Sequence, residues 1–117
     1  MAYMLMLVEP VGQRKERGTA AGQVVYDRML GFAASLQQRG LLRGVESLAS
    51  LDQGARLQVR DGRTRVLDGP FAEAKEMVGG FFLVDVATLD EALALAAECP
   101  AAEWCTVEVR KVGPCWA

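Results

Sequence analysis

Two nearly uninterrupted apolar runs, at residues 3–8 and 81–86, set the strongest limit on what this chain can fold into. A strand with one face in water alternates in polarity, whereas one that is apolar on both faces must be covered on both. Each run is therefore expected in the middle of a sheet. Neither approaches the ~20 residues needed to span a bilayer. The first also lacks the basic leader and long apolar core of a signal peptide, so the expected address is cytoplasmic and no membrane partner is expected.

The remaining elements follow from periodicity. Between residues 20 and 39, Val25, Met29, Phe32, Ala33 and Leu36 recur at helical spacing, and Gly40 supplies a stop. Gly31 inside this helix implies close approach to a neighbour. Residues 13–18 are charged and aperiodic, which predicts a mobile loop with solvated charges. Residues 41–51 predict an irregular strand with a bulge near Gly44. Residues 55–60 alternate, Asp61-Gly62 is a hairpin turn, and residues 63–67 return; the arms are rich in Arg and Gln, so one hairpin face is expected in water. Thr88 and Glu91 form a capping box that opens a helix with Leu89, Ala92, Leu93, Ala96 and Ala97 as its stripe, ended by Pro100. The last strand, residues 104–112, places Cys105, Val107 and Val109 on one face and Thr106, Glu108 and Arg110 on the other.

One domain spanning residues 1–117 accommodates this order. Two β-α-β halves with both helices on one face of an antiparallel sheet describe a ferredoxin-like α+β sandwich with an inserted β-hairpin. Its other sheet face would expose Phe81 or Phe82 together with Tyr3 or Met4. A second sheet is the symmetric cover, so a homodimer forming a dimeric α+β barrel is expected.

Composition narrows the chemistry. The chain is 51% hydrophobic and 24% charged, the balance of a folded domain. Thirteen basic and fifteen acidic residues give a net charge of −2, without the basic footprint of a nucleic-acid binder. There is no histidine, which removes the commonest general base and metal ligand. Cys99, Cys105 and Cys115 fit neither a disulfide framework nor a zinc spacing, and no metal or cofactor is expected. Trp104 and Trp116 are expected in packing or an interface.

The densest cluster of ionisable residues is Asp68-Gly69-Pro70-Phe71-Ala72-Glu73-Ala74-Lys75-Glu76, followed by Met77-Val78-Gly79-Gly80. Pro70 suits the first position of a short helix running to Met77, with Asp68 capping it and Glu73 and Glu76 sharing a face. Paired carboxylates excluded from water raise each other's proton affinity, which makes Asp68 and Glu73 the candidate catalytic groups. Arg60, Lys75, Glu76, Glu108 and Arg110 are the candidate ligand-binding groups, the cations for an anionic substrate. The competing reading makes Asp68 a plain cap, the glutamates solvated, Gly79-Gly80 a tight entry to the next strand, and Glu108 the ion-pair partner of Arg110 or Arg60.

The Asp68–Glu76 segment, with Gly79-Gly80-Phe81 after it, closely resembles the signature of the DGPF-type branch of the YCII-related family. Tyr3-Met4-Leu5-Met6, Val59-Arg60-Asp61-Gly62, Asp90-Glu91-Ala92 and Val107-Glu108-Val109-Arg110 extend the resemblance over nearly the whole chain. It implies a dimeric α+β barrel, either a small-molecule-binding or regulatory module or a small enzyme of isomerase, lyase or cofactor-free oxygenase type. It also implies a functional link to an extracytoplasmic-function sigma factor. A catalytic Asp in the wider family would correspond to Asp68, but the histidine that would partner it has no counterpart here.

Overall fold

A computed structural model describes residues 2–116. The two apolar runs do occupy the centre of a four-stranded antiparallel sheet. The strands are β1 (Tyr3–Pro10), β2 (Leu42–Ser47), β5 (Glu76–Val84) and β6 (Thr106–Lys111), in the order β2-β5-β1-β6. Helices α2 (Thr19–Gln38) and α3 (Leu89–Glu98) cover one face, which gives the ferredoxin-like α+β arrangement. The intervening β3 (Ala55–Arg60) and β4 (Arg63–Asp68) form a separate two-stranded sheet.

Strand parity assigns the faces. Tyr3 and Leu5 of β1 and Phe82 and Val84 of β5 point into the helix layer, where they meet Phe32 and Leu36 of α2 and Ala92, Leu95 and Ala96 of α3. The Phe32 and Phe82 rings meet edge-on at 5.0 Å between centroids. Burying a side chain of this size contributes about 2 kcal/mol. Met4, Met6 and Val8 alternate onto the opposite face, in register with Leu83, Phe81 and Val78. Thus Met4 and Phe81, not Tyr3 and Phe82, form the open apolar face. Glu108 and Arg110 lie on it too, opposite Met6 and Met4.

Local signals set several boundaries. Thr88 accepts a hydrogen bond from the Glu91 amide at 3.1 Å, and Glu91 accepts one from the Ala87 amide, so the cap at α3 forms as its residues predict. The register of β2 shifts between Leu42 and Gly44, the expected bulge. Gly40 takes φ +70°, and the Leu41 amide reaches back to the Leu36 carbonyl at 2.9 Å, closing α2. Asp61 and Gly62 have φ of 52° and 73°, the paired left-handed geometry of a two-residue hairpin turn.

Other expectations are overturned. Residues 13–18 are not a loop: α1 (Gln13–Arg17) forms there, anchored by Gln13 donating to the Trp104 carbonyl at 2.6 Å and by Arg14 docking on Glu9. No helix runs from Pro70 to Met77. Those residues form a bent connection and then join β5, because Glu76 pairs with Pro10 and the Val11 amide donates to the Lys75 carbonyl, so strand pairing overrides the local helix signal. Asp68 is consequently the last residue of β4 rather than a cap. Gly79 and Gly80 lie inside β5, where Gly79 is the extra residue of a bulge opposite Leu7 and Val8. A Cβ on Gly31 would meet nothing, so that glycine marks no close approach. Along α3 it is Leu95, rather than Leu89 or Leu93, that turns into the core.

Candidate functional site

The inward parity of β1 continues past Leu7 to Glu9, which places a carboxylate under the helix layer, 8% exposed. A buried carboxylate must be paired and hydrogen-bonded. Arg14 of α1 does both, donating from Nε to Oε1 and Oε2 at 3.2 and 3.1 Å and from Nη2 to Oε1 at 2.6 Å. Its remaining reach goes to backbone: Nη1 to the Leu48 carbonyl at 2.8 Å and Nη2 to the Gly79 carbonyl at 3.3 Å. One side chain thereby ties α1 to β1, β5 and the segment after β2. The space for this pair depends on Gly79, since a Cβ there would fall on the Glu9 carboxylate.

Beside the pair opens a cavity of about 1030 Å³ between α2 and the sheet. Its walls are largely apolar, with Leu7 and Phe82 from the sheet and Val25, Met29 and Ala33 from α2. Gly22 faces it with no side chain, and a Cβ there would touch nothing within 4 Å. Lys15 and Arg17 bring cationic groups to its α1 end. Trp104 stands at the same end, with the Arg17 and Arg28 guanidinium carbons 5.6 and 5.4 Å from its ring centroid, and Arg28 is itself paired to Glu103. Cys105 also lines the cavity. Burial first, and then the nearby Glu9 charge, push its thiol up to about 11. Cys99 is fully buried in the core and burial raises its thiol as well, while Cys115 is exposed.

The residues singled out from sequence lie elsewhere. Asp68, Glu73, Lys75 and Glu76 are all exposed, and of their segment Phe71 and Met77 are buried. Arg56 stacks over the Phe71 ring at 3.9 Å, which anchors this connection to the hairpin base. Arg60 adjoins the hairpin turn and Asp68 ends the hairpin at its base, so five residues of strand, about 17 Å, separate their levels. Glu108 and Arg110 occupy the open sheet face. By strand parity Glu76, opposite Pro10, lies on that same face, whereas Asp68 and Arg60 belong to the hairpin. Glu73 and Glu76 share no helix face, because Glu76 belongs to β5.

Sequence reasoning missed Glu9 and Arg14. The usable signal was parity: Tyr3, Leu5 and Leu7 share a face with Glu9, so once the inward face is known, Glu9 requires a cation nearby. Because residues 3–8 are apolar on both faces, the inward one could not be chosen from sequence.

An antiparallel sheet in the order β2-β5-β1-β6, with two helices on one face and a cavity beneath one of them, defines a ferredoxin-like α+β fold. The model of the YCII-related domain matches residues 1–115, and the chain belongs to that family. An uncharacterised protein of Rhizobium meliloti (strain 1021) is 46% identical over 74 residues, 60% of this chain. The match likewise spans 60% of that relative's length. Among the described residues, no helix is long and apolar enough to cross a membrane.

Proposed function

We propose that this protein is a small-molecule-binding module of the DGPF-type branch, working as a homodimer in which two open sheet faces close a barrel. The observation that carries the binding reading is the cavity between α2 and the sheet. Its volume, about 1030 Å³, is at the upper end of that of small-molecule sites, and its walls are largely apolar. Lys15 and Arg17 at one end favour an organic anion with an apolar body, its charged group held near α1 and its body against Phe82 and Met29. Arg14 is committed to Glu9 and two carbonyls, so it shapes the site rather than contacting the ligand. The dimer reading is supported by Met4, Met6, Val8, Phe81 and Leu83 lying together on a sheet face that no helix covers.

Gly22→Leu tests the site without threatening the fold. The new side chain enters open space, and replacing a helical glycine stabilises α2 by up to about 1 kcal/mol. Anilinonaphthalene sulfonate, an aromatic anion, serves as the probe. Binding to the wild type, with loss in the folded G22L variant, is the expected result. Equal binding by both proteins would remove the cavity as the site.

A further inference from the structure

The hairpin β3–β4 is exposed at every position, on both faces, where one exposed face was expected. Its register sorts the side chains with little mixing. Ala55, Leu57 and Val59 share a face with Thr64, Val66 and, at the base, Asp68, while Arg56, Gln58 and Arg60 share the other with Arg63, Arg65 and Leu67. On the first face Leu57, Val59 and Val66 are each more than half exposed. An isolated two-stranded hairpin is marginal in water, and an amphipathic one needs a surface under its apolar face. The body of the same chain does not supply it. The hairpin projects, and the radius of gyration is 16.0 Å, where a compact chain of this length has about 13 Å.

Charge indicates what covers it. Four arginines against Asp61 and Asp68 leave +2 on residues 55–68, and since the whole chain carries −2, the rest of it carries −4. A second copy thus presents the complementary sign to the arm. It also presents the apolar stripe of Met4, Met6, Val8, Phe81 and Leu83, bordered on the β2 side by Glu46, which pairs with Phe81, and on the β6 side by Glu108 and Arg110.

We infer that the hairpin is an arm exchanged between two copies of this chain, its Leu57–Val59–Val66 face laid along the margin of the second copy's open sheet face. The inference rests on the homodimer reading and adds to it a reciprocal clasp that the paired sheets alone do not require. Within one chain Arg56 on Phe71 holds only the base of the hairpin, so its Leu57–Val59–Val66 face stays uncovered until two chains meet.

Hydrogen exchange and sedimentation, applied to wild type, Phe81→Glu and the double variant Leu57→Glu/Val66→Glu, separate the two ideas. Both hairpin positions are exposed in the single chain, so that variant keeps its fold, which circular dichroism verifies. The wild type is expected to sediment as a dimer with slowly exchanging β3–β4 amides. The hairpin variant should weaken the dimer by about a hundredfold, and Phe81→Glu should give monomers whose β3–β4 amides exchange rapidly. A hairpin variant that dimerises as tightly as wild type, or β3–β4 amides that exchange equally fast in dimer and monomer, overturns the arm and leaves the sheet-face dimer standing. A wild type that sediments as a monomer overturns both.

Discussion

The Glu9–Arg14 corner and the β3–β4 hairpin are both rich in charge, yet they solve opposite problems. At the corner a carboxylate lies under a helix layer, and a single guanidinium satisfies it together with two carbonyls from other segments. In the hairpin, four arginines and four aliphatic side chains stand in solvent with their own strand partners as the main support. Burial decides the difference. The same charge that costs little on an exposed ribbon demands an exact partner once water is removed. The corner is therefore where a substitution should damage the fold of one chain, and the hairpin is where it should leave that fold intact and act only on the proposed association.

The largest effect expected from breaking that contrast is at Arg14. Arg14→Ala leaves the Glu9 carboxylate buried without a cation and frees two carbonyls, costing about 3 kcal/mol and lowering Tm by roughly 10 °C. Urea denaturation followed by circular dichroism measures it. A loss below about 1 kcal/mol would mean that water already reaches Glu9.

Next comes the pH dependence at the cavity wall. The Cys105 thiol ionises near 9 when unfolded and near 11 when folded, so above pH 9 the unfolded chain loses its proton first. Stability is intact below pH 9 and declines as pH rises towards 11. Partial solvent access holds the loss to about 1 kcal/mol. Thermal melts across that range should show the decline, and Cys105→Ser should reduce it, the remainder belonging to the buried Cys99 thiol, which is raised too. The same environment orders the thiols kinetically: with a disulfide reagent at pH 8, exposed Cys115 should react first and buried Cys99 last.

The smallest effect is expected at Asp68. As an exposed strand end rather than a helix cap, Asp68→Asn should change stability by less than about 0.5 kcal/mol and leave probe binding in the cavity unchanged. A clear fall in melting temperature would show that the 68–76 segment carries more of the fold than its exposure indicates.

Sequence legibility followed the range of the determining interactions. The α3 cap needs only Thr88 and Glu91, the hairpin turn only Asp61 and Gly62, and the end of α2 only Gly40. All three formed where their residues predict. The 68–76 segment misled because its local signals, a proline followed by two spaced glutamates, compete with pairing to Val11 and Pro10, sixty and more residues earlier. The helix at residues 13–17 was hidden for the same reason: what holds it are Glu9 and the Trp104 carbonyl, and one of these is ninety-one residues away.

By itself, the order of apolar runs, periodic stripes and turns determined the ferredoxin-like sandwich and its two central strands, because period and turn chemistry are written within a few residues. The tertiary structure decided which face of β1 looks inward, that Glu9 therefore needs Arg14, that a cavity opens under α2, and that the apolar face of the hairpin is left exposed by its own chain. Each of these depends on which distant surfaces exclude water from one another, and that becomes defined only when the layers are assembled.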